Sequence, residues 1–144
     1  EYVERLGGPL DDTWLKRAML LHDDSTSFMQ ERSNWKRWLD ELGIDDVDAE
    51  KGPRFNHADH GLDAAVDGAG IVLGRLSLAM RDIRSGRLVA PFEHYLKARA
   101  GFYLVAPTAA MDVPRVSTFH HWLREEAAVE AAEIGTFLAT KRSL

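Results

Sequence analysis

The chain has 144 residues, 45% hydrophobic and 28% charged, enough to bury the core of one ordinary globular domain. Its net charge of −5 argues against this stretch gripping a nucleic-acid backbone by itself, because phosphate neutralisation needs clustered Lys and Arg. Cysteine is absent, which excludes a disulfide framework, a thiolate nucleophile and a cysteine-zinc site and fits a cytoplasmic protein.

Glu1 to Leu6 reads as the end of a helix, broken by Gly7-Gly8-Pro9. Leu10 to Arg17 reads as a short helix with Asp11 and Asp12 in its first turn, where acidic side chains suit the helix dipole. Ala18 to His22 is an apolar run of strand length, stopped by Asp23-Asp24-Ser25. Ser33-Asn34 caps a helix over Trp35 to Leu42, whose stripe of Trp35, Trp38, Leu39 and Leu42 is expected to pack on a sheet rather than to cage a ligand. Gly43 ends that helix, and Ile44 to Gly52 reads as an acidic exposed loop.

The stretch from Arg54 to Phe92 organises the rest. Gly52-Pro53 leads into an extended Arg54–Asn56, and Asn56-His57-Ala58-Asp59 offers a cap for a helix carrying Leu62, Ala65, Val66 and Ala69 on one face. Gly68 and Gly70 close it. Ile71-Val72-Leu73, bounded by glycines, is expected to be a strand buried on both faces and therefore central. Arg75 follows, then a helix over Leu76 to Arg84 closed by Ser85-Gly86, then an extended exit at Arg87-Leu88-Val89 before Pro91. The order βαβαβ predicts a layered α/β fold with ligands at the carboxyl ends of the strands, where helix N-termini present free N–H groups. Those ends carry Asn56, His57 and Arg75. Arg75 suits either a bidentate grip on an anionic ligand such as a carboxylate or a salt bridge to an acidic neighbour.

Glu93 to Gly101 has no clean periodicity, whereas Phe102 to Ala106 has the aromatic and β-branched composition of a strand. Asp112-Val113-Pro114 opens a long helix, with Val116, Phe119, Leu123, Ala127 and Ala131 as its expected buried stripe and Trp122 to one side.

Catalytic chemistry finds no support. The glycine-rich Gly68-Ala69-Gly70 lacks the further glycine of a dinucleotide loop and the lysine of a phosphate loop, and no G-x-S-x-G elbow occurs. His57, Asp59, His60 and Asp63 could form a local cluster, but capping of a helix N-terminus explains them without a metal. His120 and His121 point about 100° apart around a helix and cannot share one ion. No cofactor, metal or catalytic residue is therefore assigned.

The run LDAAVDGAGIVLGRLSLAMRDIRSGRLVAPF, followed by GFYLVAP and VPRVSTFHHWLREEA, resembles the effector-binding domain of LysR-type transcriptional regulators, and within them the glycine-cleavage-activator subgroup. Each piece alone is an ordinary helix end, strand or turn; the ordered set, from Met19 to about Ala128, carries the resemblance. It implies a periplasmic-binding-protein-like three-layer sandwich with a mixed sheet, in which two subdomains enclose a small-molecule cleft. Residues 1–106 would be the second subdomain and 107–144 the helical region of the first. The winged helix-turn-helix, the linker helix and most of the first subdomain do not precede Glu1, so the chain reads as a C-terminal fragment whose DNA contacts lie elsewhere. The carboxyl end of the 18–22 strand would open to the cleft, making Asp23 and Ser25 candidate liners beside Asn56, His57 and Arg75; a solvated turn would serve the two equally well. The implied partners are a small-molecule effector, anionic if Arg75 holds it, and further copies of the chain, as a dimer or a swap through the C-terminal helix. A solute-binding protein of a transporter or chemoreceptor is the alternative on the same fold.

Overall fold

A computed structural model describes residues 1–25, 27–28, 34–98 and 101–143. The chain divides into two compact units, Glu1–Ala98 with Lys141–Leu144, and Arg99–Thr140.

The first unit is α/β. Helix α1 (Tyr2–Leu6) and helix α2 (Asp12–Arg17) precede the strand β1 (Leu20–Asp23), and Asp11 caps α2 by accepting a hydrogen bond from Trp14 N at 2.9 Å. Helix α3 (Trp35–Leu42) is capped by Asn34, whose side-chain oxygen accepts from Arg37 N, and it ends on Gly43 at φ +72°. Ser33, the other predicted cap residue, lies outside the described residues. Then come β2 (Arg54–Phe55), α4 (Ala58–Val66), β3 (Ile71–Val72) and α5 (Leu76–Arg84). Helix α4 stops at Val66, short of Ala69, because Gly68 turns the chain at φ +75°.

The three-stranded sheet has the order β2-β1-β3, with His22 beside Arg54 and Leu20 beside Ile71. The central strand is thus β1, and Ile71-Val72, expected in the middle, lies at the edge of the described sheet. Flanking glycines reported close approach rather than position: a Cβ on Gly70 would stand 2.4 Å from the Met19 carbonyl oxygen. Every described ladder is parallel, in place of the predicted mixed sheet.

Alternation along the strands sends side chains to opposite faces. Leu20 and Ile71 join Trp14, Leu15, Trp35, Trp38 and Leu39 in the buried core, so α2 and α3 cover that face. The tryptophan stripe packs as the sequence predicts, and Trp35 Nε1 donates to the Leu21 carbonyl at 3.0 Å. On the other face α4 comes close, for a Cβ on Gly61 would touch Val72 and Phe55 at 3.6 and 3.7 Å. Gly52, at φ +117°, lets the loop before β2 press against β1, where a Cβ would fall 1.9 Å from the Leu20 oxygen. His22, buried on β1, donates from Nε2 to the Lys51 carbonyl in the same loop, 3.0 Å away.

The expected strand at Arg87–Val89 is not formed. Val89 is exposed, and the extended pairing falls instead on β4 (His94–Tyr95), in the stretch without periodicity. Its parallel partner is β5 (Arg142–Ser143), which Lys141 helps to fix by donating to the carbonyls of Ala90 and Phe92 at 3.0 and 3.1 Å.

The second unit holds a 3-10 helix (Thr108–Asp112) and the helix α6 (Pro114–Leu138), with proline in its first turn as predicted. Phe102–Ala106 is no strand; Phe102 and Tyr103 are 75% and 83% exposed, and strand composition cannot act without a neighbouring strand to pair with. The predicted buried stripe of α6 is also absent: no described residue of this helix is buried.

Candidate functional site

At the carboxyl end of β1, Asp23 and Ser25 meet Arg75. Arg75 Nη2 donates to Asp23 Oδ2 at 3.1 Å and to Ser25 Oγ at 2.7 Å, while the other oxygen of Asp23 accepts from Ser25 N at 2.9 Å. The Asp23 side chain is only 12% exposed and that of Arg75 37%, so the carboxylate is the deeper partner and the guanidinium still reaches solvent. Arg75 Nε is buried without a hydrogen-bond partner. The salt-bridge role considered for Arg75 is therefore realised, and it leaves donor capacity unspent.

Two helices begin at the same edge. Arg75 is the N-cap residue of α5 and His57 that of α4, and neither helix has a side-chain cap. Uncapped N–H groups and the positive end of the helix dipole favour an anion there.

Asn56 and His57 follow β2, whose Phe55 lies beside Asp23 in the ladder, so they emerge at this edge and are exposed. Among the described residues they make no hydrogen bond to the Asp23–Ser25–Arg75 cluster. The His57 ring lies instead near that of His60, centroids 5.2 Å apart. No group of three or more His, Cys, Asp or Glu among the described residues could hold a metal ion.

Sequence reasoning missed Asp24 and Arg54. Arg54 Nη1 donates to both oxygens of Asp24 at 3.2 Å, and Arg54 also binds Glu50. The hydrogen bond to Asp24 is the first cause that raises the Arg54 pKa above its ordinary value. A cavity of about 20 Å³ lies between this pair and the start of α3, lined by His22, Asp23, Asp24, Asn34, Trp35 and Arg54. That volume admits a water molecule but not an organic acid. The only sequence signal for the Arg54–Asp24 contact was the opposite charge at two adjacent strand ends.

No described helix is long and apolar enough to cross a membrane. The family model "LysR substrate binding domain" matches residues 5–128. The chain is 33% identical over 116 residues to the glycine cleavage system transcriptional activator of Escherichia coli K12, covering 81% of this chain and 36% of the relative. Its homolog in Haemophilus influenzae is 31% identical over 109 residues, 76% of this chain and 34% of that protein. The HTH-type transcriptional regulator DsdC of Escherichia coli K12 is 28% identical over 113 residues, 78% and 36% of the two chains. The chain thus spans about a third of the length of these curated relatives. All three carry names of transcriptional regulators, and nothing among them supports the solute-binding alternative. No solved structure matches. With most of its length matched, this chain belongs to the LysR substrate-binding domain family.

Proposed function

We propose that this chain is the effector-sensing part of a LysR-type DNA-binding transcriptional regulator and is not an enzyme. A small anionic molecule binds at the carboxyl edge of the sheet, with Arg75 as its principal donor, Asp23 and Ser25 holding Arg75 in place, and Asn56 and His57 on the flank. The observation that carries this reading is the half-exposed Arg75, oriented by Asp23 and Ser25 beside two uncapped helix N-termini. Ligand binding controls a regulator only if the ligand prefers one of its arrangements.

The finer fold in this reading is the periplasmic-binding-protein-like three-layer sandwich. Support comes from helices on both faces of the parallel sheet. Residues 1–106 then form the second subdomain and 107–144 the helical region of the first. The DNA contacts belong to a winged helix-turn-helix elsewhere in a cytoplasmic regulator, consistent with the acidic charge of this stretch. The regulator works as a homo-oligomer, with α6 as a meeting surface.

Thermal-shift and calorimetric titration with small carboxylates and amino acids, glycine included, tests the reading. At least one compound should stabilise the chain saturably, and Arg75→Ala should abolish that response while the far-UV spectrum stays native. A response equal in wild type and Arg75→Ala would remove Arg75 from the site. An export signal encoded upstream of Glu1, in place of a helix-turn-helix, would overturn the regulator assignment.

A further inference from the structure

At the end of β1 away from Arg75, a cavity of about 240 Å³ opens between helix α2 and the loop over residues 44–52. Leu15, Leu20 and Val47 give it apolar walls, and Lys16, Asp46, Asp48 and Lys51 bring charges to it. Leu15 and Leu20 are no more than 2% exposed, so this wall is the core itself. The loop is acidic, yet its Val47 is half-buried and packs against that core. Such a volume holds several waters or one small organic molecule, and it falls below the range of about 300–1,000 Å³ that suits drug-sized ligands.

The loop over the cavity is held in place by bonds that leave two of its charges available. Asp48 Oδ1 accepts from Glu50 N at 3.0 Å, and the Asp48 carbonyl accepts from Lys51 N at 3.3 Å. His22 then ties the loop to β1, its Nε2 donating to the Lys51 carbonyl and its N to the Pro53 carbonyl, each at 3.0 Å. All of this uses backbone oxygens and one oxygen of Asp48. The Lys51 ammonium has no hydrogen bond or ion pair among the described residues, and Asp48 keeps its second oxygen. Lys16 and Asp46, in contrast, neutralise each other in an ion pair. A wall already fixed in this way costs a ligand little ordering.

The cavity therefore offers one free cation and one free anion beside an apolar surface. Asp48 and Lys51 close a single turn, so the matching ammonium and carboxylate must lie near each other in the ligand, as they do on one α-carbon. A lone carboxylate would meet Asp48 without compensation, and a lone amine would meet Lys51. We propose that this cavity binds an aliphatic α-amino acid of about the size of valine or leucine. Its carboxylate is held by Lys51 Nζ, its ammonium by Asp48 Oδ2, and its side chain lies against Leu15, Leu20 and Val47. The site shares no residue with the Arg75 edge and does not rest on the reading given for it.

Calorimetric titration of the 144-residue chain with leucine tests the proposal, with far-UV circular dichroism as the control for folding. Leucine should bind saturably at one site, and 4-methylpentanoate, isopentylamine and glycine, which lack its ammonium, its carboxylate and its side chain, should each bind at least about tenfold more weakly. Lys51→Ala and Asp48→Asn should each weaken leucine at least about tenfold. Both variants keep the loop, because the Lys51 carbonyl still accepts from His22 and the Asn oxygen still accepts from Glu50 N. Absence of saturable leucine binding, affinity unchanged in both variants, or 4-methylpentanoate binding as tightly as leucine would overturn the proposal. Leucine binding that survives Lys51→Ala but is lost in Arg75→Ala would also overturn it, while leaving the Arg75 reading standing. Leucine binding retained in Arg75→Ala and lost in Lys51→Ala supports the second site whatever becomes of the first.

Discussion

Arg75 and Asp23, 52 residues apart in sequence, join the mouth of α5 to the carboxyl end of the central strand through a 3.1 Å hydrogen bond between charges. Because Asp23 is the more buried partner, the two ends of this bridge are not equivalent. Removing Arg75 strands a carboxylate with little access to water, whereas removing Asp23 leaves a cation that can turn to solvent. Arg75→Met should therefore cost about 1–3 kcal/mol in urea unfolding, more than Asp23→Asn. The double variant should fall short of the sum by about 0.5–3 kcal/mol, as expected for groups in contact.

Two glycines with positive φ separate backbone strain from steric collision. At Gly43, φ +72° with open space where a methyl group would project, alanine meets only the left-handed conformational penalty, about 1–2 kcal/mol. At Gly52, φ +117°, the same methyl lands on the Leu20 carbonyl of the central strand, so Gly52→Ala should destabilise considerably more. Chemical denaturation of the two variants side by side gives the comparison, and equal losses would mean that the loop moves away from β1 without cost.

The tryptophans of α3 do different work. Trp38 is fully packed, its ring 5.3 Å from that of Phe92, and Trp38→Ala should cost about 3–5 kcal/mol. Trp35 adds a hydrogen bond from its indole to Leu21. Trp35→Phe keeps most of the packing and leaves that carbonyl without this donor, so a loss of about 1–3 kcal/mol is expected in the same unfolding assay.

Alkaline pH probes the surface of α3. Lys36 donates to Asp40 one turn on, at 2.8 and 3.0 Å, and that hydrogen bond raises its pKa above the usual 10.5. A raised folded-state pKa means that the stabilisation is complete below the unfolded value of 10.5 and disappears as pH climbs through the higher folded value. Asp40→Asn should remove this alkaline dependence and lower the neutral-pH stability by the same small amount that wild type loses at alkaline pH, as judged by unfolding curves from neutral to strongly alkaline buffer. Because the pair is exposed, added salt should shrink the wild-type difference.

What local sequence could specify, it specified well. Helix α5 runs from Leu76 to Arg84 as the pattern predicts, and Asn34 and Gly43 bound α3 because a side-chain oxygen cap and a left-handed glycine act within one turn of chain. Strand order depended on partners far away, so Ile71 advertised burial without revealing that β1 holds the centre. Phe102–Ala106 and the stripe of α6 show the same limit: apolar composition records a tendency to be covered, and the cover must come from elsewhere. At the candidate site, Asp23, Ser25 and Arg75 were identified singly, but only the parallel register of β1 with β3 brings them together. Arg54 and Asp24 went unnoticed because each looked like ordinary surface charge.

The pairing of β4 with β5 sets an order of assembly. The three strands β1 to β3 are all present once the chain reaches Val72, but His94-Tyr95 must wait until the whole of α6 has been made before Arg142-Ser143 can arrive. During synthesis on the ribosome the sheet can therefore form early while β4 keeps an unpaired backbone edge, the kind of surface that invites association with other nascent chains. The entropy of closing so long a loop grows only slowly with its length, so the delay is a matter of timing more than of stability.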